Sequence, residues 1–167
     1  MSTRVVLVGL PGAGKSTVGR SLAALLGIDF ADSDDLVIEM TGRPIAEIFA
    51  DSGESAFREI EAAAIADALL DFDGVLALGG GAVTTPAVRE ELKACGVPVV
   101  WLTAEQSVLL DRIGESTHRP LLAEDPAARL AELAGERAPW YAQVATLTVT
   151  TDFATSEEVA AELADRL

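Results

Sequence analysis

Asparagine is absent from this chain, and it holds one cysteine, one histidine and only two lysines in 167 residues. A lone Cys95 excludes an intrachain disulfide and fits a reducing, cytoplasmic setting. No stretch approaches the 18 or so uninterrupted apolar residues that a membrane span needs. The apolar run near the N-terminus breaks at Gly9, too early for the core of a secretory signal. Basic residues are also scarce: 12 against 27 acids, a net charge of −15. Such a surface excludes nucleic acid as the main partner, because neutralising phosphates needs surplus lysine and arginine. An anionic membrane is disfavoured for the same reason. A small anionic substrate stays open, since a few arginines can be focused in one cleft. What is present is globular: half the residues are apolar and 23% are charged. A chain of this length buries about 70% of its unfolded surface, enough for one core without metal or disulfide staples. With no repeat, low-complexity tract or linker, one domain over residues 1–167 is expected, and no long apolar patch argues for oligomerisation.

Hydrophobic period divides the chain into alternating strands and helices. Arg4–Val8 reads as a buried strand, Ser16–Leu26 as a helix ending at Gly27, and Ile28–Ala31 as a short strand. Asp34–Met40 reads as a helix stopped by Thr41-Gly42-Arg43-Pro44, with a short helix from Ile45. Glu54–Leu70 is a long helix with Phe57, Ile60, Ala64 and Ala68 on one stripe. Strands over Val75–Leu78, Val97–Leu102 and Thr146–Thr150 alternate with helices over Pro86–Ala94, Glu105–Ile113, Ala127–Ala142 and Ser156–Leu167. The stretch Gly114–Pro126 is irregular and polar. Five strands alternating with helices predict parallel βαβ packing with helices on both faces.

Gly9-Leu10-Pro11-Gly12-Ala13-Gly14-Lys15-Ser16 fits the pattern G-x-x-x-x-G-K-[ST], between a strand and a helix as that pattern requires. Average residue usage gives a chance match on the order of 1% in a chain this long. Its glycines let backbone N–H groups turn inward around phosphate oxygens, and the helix start adds its positive end. Lys15 can reach the β- and γ-phosphates, and the Ser16 hydroxyl can ligate Mg²⁺. Guanine-reading switch proteins use an Asn-Lys-x-Asp element, which a chain without asparagine cannot have. ATP is therefore the expected nucleotide. There is no room for the extra domains of a motor ATPase, which leaves a small-molecule kinase.

The acceptor side rests on weaker patterns. Asp32-Ser33-Asp34 follows the second strand, at the carboxyl end of an open sheet where ligands bind. One carboxylate could hold water around Mg²⁺ and the other orient a substrate hydroxyl, or Asp32 or Ser33 could simply cap the next helix. Arg58 lies one turn from both Glu54 and Glu61, consistent with a solvated ion pair or with a cleft at the edge of the core. Gly79-Gly80-Gly81 allows close approach of backbone to a ligand, or forms a plain turn. His118-Arg119-Pro120 sits in the irregular stretch, a candidate mobile lid at about 114–126 from which Arg119 could reach the transferring phosphoryl group. The lone His118 is more simply a surface residue. Arg137, in Glu136-Arg137-Ala138-Pro139-Trp140-Tyr141, is a further arginine that could equally be a solvated surface group.

In this order, Gly9–Thr17, Asp32-Ser33-Asp34, Phe57-Arg58-Glu59, Gly79-Gly80-Gly81, Arg119-Pro120-Leu121-Leu122 and Glu136–Tyr141 resemble the shikimate kinases, from Arg4 to about Thr151. The resemblance implies a P-loop kinase fold of the nucleoside monophosphate kinase type. That is a three-layer α/β/α sandwich with a five-stranded parallel sheet and a mobile lid. It implies an ATP-dependent phosphotransferase with an alcohol acceptor, converting shikimate to shikimate 3-phosphate in aromatic amino-acid biosynthesis. It assigns the nucleotide to Gly12, Ala13, Gly14, Lys15, Ser16 and Thr17, with Arg112 near adenine and Arg119 on the phosphates. Lys15, Asp34 and Arg119 are then catalytic, and Ser16 holds Mg²⁺ with Asp32 in its water shell. Shikimate falls to Asp34, to Arg58 and Arg137 around its carboxylate, and to Gly79, Gly80 and Gly81. A planar carboxylate suits guanidinium forks.

Two features depart from common patterns. Val75–Leu78 ends without the acid of a typical Walker B strand, a feature of the family for which Asp32 can substitute. Many members also carry a basic residue in the loop before the last helix, where this chain has Asp152-Phe153-Ala154-Thr155, and Phe153 is expected to pack near the base instead. The alternatives are a gluconate-type kinase and a nucleotide-binding regulator that has lost catalysis. The arginines at 58 and 137 speak against the first, and the complete set Lys15, Ser16, Asp32, Asp34 and Arg119 against the second.

Overall fold

The computed structural model of the protein describes residues 3–114 and 125–167. Its sheet has five parallel strands in the order β2-β3-β1-β4-β5, formed by β1 Val5–Val8, β2 Asp29–Asp32, β3 Gly74–Ala77, β4 Val99–Thr103 and β5 Leu147–Thr150. The central strand, β1, pairs Val6 with Leu76 on one side and with Val99 on the other. Successive side chains of a strand point to opposite faces, so its four apolar residues feed two cores. Val5 and Leu7 face a core shared with α1 (Lys15–Leu26) and α7 (Ser156–Arg166), through Val18, Leu22, Val159 and Leu163. Val6 and Val8 face α3 (Ile45–Asp71) and α4 (Pro86–Ala94), through Ile65, Leu69, Val88 and Leu92. Burying each large apolar side chain contributes about 1.5–3 kcal/mol, so the layers close on both faces of β1 and leave its carboxyl end for the site. A third cluster joins Val37 of α2 (Ser33–Thr41) to Ile48 and Phe57 of α3. The remaining helices are α5, Gln106–Gly114, and α6, Pro126–Val144.

Element ends differ from the sequence expectations by a residue or two, for local reasons. β2 reaches Asp32, whose side chain caps α2 by accepting from the Asp34 N–H at 2.9 Å. β3 stops at Ala77 although Leu78 N–H still donates to Leu7 O, because Gly79 N–H turns to Ser33 Oγ at 2.8 Å. β4 begins at Val99, after Pro98, which has no N–H to give a ladder. The short and long helices expected around residue 50 are α3, broken at Gly53, whose φ of 82° interrupts the helical backbone. α6 runs on through Pro139. Among the described residues no helix is long and apolar enough to cross a membrane.

Candidate active site

The phosphate loop leaves β1 at its carboxyl end and bends through Gly9, Gly12 and Gly14, whose φ values are 152°, 84° and 93°. L-side chains rarely adopt that region, and a Cβ on Gly9 would also lie 2.6 Å from Leu102 O. Gly14 caps α1 with no side-chain hydrogen bond to the first turn. Lys15 Nζ donates to Gly9 O at 2.7 Å and Leu10 O at 2.9 Å, which folds the ammonium across the loop. Ser16 Oγ donates to Asp32 Oδ2 at 3.0 Å, while Asp32 Oδ1 caps α2. Asp32 thus caps a helix with one oxygen and accepts from the serine with the other, so the capping reading holds and leaves the Mg²⁺ reading open. Ala13 is buried in the loop and Thr17 is exposed on the first turn of α1.

Arg112 braces this loop. Its Nη1 donates to Gly12 O and Thr151 Oγ1, both at 3.0 Å, and its Nη2 to Thr151 O at 2.8 Å. Thr151 Oγ1 in turn donates to Ala13 O at 3.0 Å. Thr151 carries no sequence motif that would have marked it. Phe153, two residues on, is 91% exposed, so an apolar ring stands open to solvent close to this brace.

The glycine triplet organises the acceptor side by having no side chains. A Cβ on Gly79 would lie 3.0 Å from Asp34 Oδ1 and 3.3 Å from Glu61 Oε2. One on Gly80 would lie 3.1 Å from Pro11 Cδ and 3.3 Å from Arg137 Nη1. One on Gly81 would lie 2.2 Å from Arg58 Nη2, an impossible contact. Side chains from α2, α3 and α6 therefore converge on one short turn beside the phosphate loop. The three glycines make room for them, and the turn is more than a tolerated break in the chain.

Arg58 is largely buried and not a solvated surface pair. Its Nη1 donates to Glu61 Oε1 at 2.8 Å, its Nη2 reaches Glu54 at 3.4 Å, and its guanidinium lies 5.2 Å from the Phe57 ring. Arg137 is buried at 6% exposure, which removes the surface reading of that arginine too. Arg58 Nε, Arg137 Nε and Glu61 Oε2 are buried with no hydrogen-bond partner. Each of these two guanidiniums thus carries a buried N–H without a partner, a cost of about 1–3 kcal/mol each. Burial, followed by the nearby Asp32 charge, raises the pKa of Asp34 against the pull of Lys15 and Arg58. Burial likewise raises that of Glu61, against the pull of Arg58.

Glu61 was not singled out from sequence, although a signal existed. It lies four residues after Phe57 and three before Ala64, on the apolar stripe of α3, where a carboxylate needs a partner. Ser33, offered by the sequence as a possible helix cap, instead accepts from the Gly79 N–H through Oγ, and Tyr141, at the end of the motif Glu136–Tyr141, donates its hydroxyl to Gly80 O at 2.6 Å; neither contact shows in the sequence. Arg119 and His118 lie outside the described residues. An apolar cavity of about 180 Å³ adjoins these groups, lined by Leu10 and Ala13 of the phosphate loop and by Trp101, Leu109, Ala138 and Tyr141.

A phosphate loop lies beside a glycine turn on which buried Arg137, partly buried Arg58 and a carboxylate converge, and comparison with known proteins places the chain in a family. The family model described as shikimate kinase matches residues 11–167. The chain belongs to the shikimate kinase family. A shikimate kinase of Salinispora tropica is 52% identical over 98% of this chain and 97% of its own. The structure of a shikimate kinase from Acinetobacter baumannii in complex with shikimate superposes with a TM-score of 0.92 at 38% identity, over 99% of this chain and 92% of that one. A gluconokinase from Sinorhizobium meliloti gives a TM-score of 0.61 at 21% identity, over 99% and 95% of the two chains, and shares the fold alone. Fold class and family therefore match what the ordered motifs imply.

Proposed function

We propose that the chain transfers the γ-phosphoryl group of ATP to the 3-hydroxyl of shikimate, with the glycine turn as the meeting point of donor and acceptor. The observation that carries this is the convergence of Asp34, Arg137 and Arg58 within 3.3 Å of where side chains of Gly79, Gly80 and Gly81 would be. Gly80 also abuts Pro11, so an acceptor held by this turn lies against the phosphate loop. Arg58 and Arg137 take the shikimate carboxylate, filling donors that are otherwise buried and unpaired. The backbone at Gly79–Gly81 takes ring hydroxyls.

Asp34 aligns the attacking hydroxyl and takes its proton as the new P–O bond forms and the bond to the ADP oxygen breaks. Phosphoryl transfer needs mainly positioning and charge stabilisation, so alignment is its larger contribution. Lys15 leaves the loop carbonyls for the phosphates, and Gly12–Thr17 hold them through backbone and hydroxyl groups. Arg112 holds the loop beside adenine, with Phe153 as the apolar surface the base covers. Arg119, by the family resemblance, meets the transferring group.

Mg²⁺ fits the residues present. Ser16 and Asp32 offer hard oxygen donors 3.0 Å apart beside the loop, and this ion commonly takes one or two protein oxygens plus phosphates and water. Bound there, it would offset charge on the phosphate oxygens. A single domain over residues 1–167, a monomer as the family resemblance implies and cytoplasmic as the lone cysteine suits, completes the reading. The test is ADP release with Mg-ATP and either shikimate, gluconate or a nucleoside monophosphate as acceptor. Stimulation by shikimate alone is expected. ATP binding without stimulation by shikimate would overturn the roles of Asp34, Arg58 and Arg137.

A further inference from the structure

Tyr141 is the chain's one tyrosine and lies 1% exposed on α6, one helical turn beyond Arg137. Its ring packs against Trp101, with centroids 5.6 Å apart, among Val6, Val8, Leu78 and Val144. A phenylalanine would satisfy that packing equally well. What phenylalanine lacks is the hydroxyl, and this hydroxyl donates to Gly80 O at 2.6 Å, a short contact across 61 residues of sequence. Burying a hydroxyl is costly unless it is bonded, so the group is kept for that bond. Burial raises its pKa to about 12 even though Arg137, through charge and a hydrogen bond, pulls it down. The hydroxyl therefore remains a donor at any physiological pH, and it sits beside the carboxylate-binding arginine as well as the turn.

We infer that the Tyr141 hydroxyl is a positioning group for the acceptor, holding the Gly80–Gly81 peptide and Arg137 in register across the cleft. The peptide bonds of the described residues are trans, so the Gly80 carbonyl and the Gly81 N–H point in opposite directions. Anchoring the carbonyl toward α6 turns that N–H away from α6 and fixes it for a substrate oxygen. Ser33 Oγ holds the other end of the turn through the Gly79 N–H. Glycine peptides rotate more freely than others, so a turn of three consecutive glycines needs such anchors to present one geometry. The nucleotide side has its own brace, Arg112 with Thr151, and does not depend on Tyr141.

This inference rests on shikimate being the acceptor, and its test separates the two. Steady-state constants for both substrates are measured at 15 °C for the wild type, for Tyr141→Phe, and for the protein with 4-aminophenylalanine incorporated at position 141, which restores a donor. Loss of one neutral hydrogen bond predicts a shikimate KM raised about five- to tenfold in Tyr141→Phe, with ATP KM and kcat within about twofold of wild type. The 4-amino variant should recover most of the lost affinity. A merely structural role would move both KM values together, or lower the melting temperature while leaving shikimate KM unchanged. Either result, or failure of the amino variant to restore shikimate KM, overturns the inference while wild-type turnover leaves the proposed function standing. A wild type inactive on shikimate overturns both.

Discussion

The nucleotide side and the acceptor side of this site are built in opposite ways. The nucleotide side is contiguous backbone from Gly9 to Ser16, shaped by glycines with positive φ and needing one remote brace, Arg112. The acceptor side is assembled from side chains of α2, α3 and α6 around Gly79–Gly81, none closer in sequence than 18 residues to that turn. Backbone recognition suits phosphate, which every nucleotide substrate shares. Buried side-chain recognition suits discrimination, because each unpaired buried group penalises the wrong ligand. The proposed site also offers a way for a chain of charge −15 to receive an anion: Lys15 and Arg112 lie at the phosphate loop and Arg58 and Arg137 at the adjoining glycine turn, a third of its 12 basic residues.

Damage to the nucleotide side should give the largest effect, and it should be an effect on rate. Lys15→Ala is expected to lower kcat by ~10²–10³-fold, the scale for removing one charge-stabilising donor, while shikimate affinity measured by calorimetry changes little. A parallel loss of shikimate affinity would erase the distinction between the two sides. Asp34→Asn should lower kcat by ~10²–10⁴-fold. The same substitution should raise the melting temperature of the free enzyme at pH 7. Its carboxyl has a pKa raised by folding, so its favourable contribution exists at acid pH and is lost as pH rises through the raised pKa. The stabilisation seen in Asp34→Asn should accordingly shrink as pH is lowered below the ordinary carboxylate range.

Acceptor-side changes should act on shikimate KM. Arg58→Ala removes a charge-assisted clamp worth about 1.5–3 kcal/mol, a KM increase of about 10- to 150-fold, with ATP KM unchanged. It also leaves Glu61 buried without its partner, so the melting temperature should fall as well. The smallest effect concerns Phe153, the exposed ring proposed as the surface for the adenine: Phe153→Ala should raise ATP KM by only about two- to fivefold, the loss of one partly covered apolar face. An unmoved ATP KM would remove Phe153 from the nucleotide site.

The two sides were also unequally legible in the sequence. The phosphate loop can be read directly, because its function lies in a fixed spacing of glycines before Lys15 and Ser16. The sheet is equally plain, since β1, β3 and β4 are near-continuous apolar runs. Arg58 and Arg137 were ambiguous on spacing alone: each has acidic neighbours one turn or one residue away that would suit a solvated pair, and burial is a property of the assembled fold. The glycine triplet was legible as a special turn, but what its missing side chains admit could be seen only when three helices were placed around it. Tyr141 closes the motif Glu136–Tyr141, but its contact left no pattern, and Thr151 left none at all, because each acts through a single hydroxyl on a backbone carbonyl far away in sequence.

The central claim is that the absence of side chains at Gly79–Gly81 builds the acceptor site, and one methyl group tests it. In Gly81→Ala the new Cβ would fall 2.2 Å from Arg58 Nη2, at a backbone φ that any residue can adopt near −91°. The guanidinium must move away from its place against Glu61. Calorimetric titration of shikimate and of ATP into Gly81→Ala should show shikimate binding weakened by about tenfold or more, with ATP binding unchanged. Unaltered shikimate affinity, or an equal loss for ATP, would contradict the account.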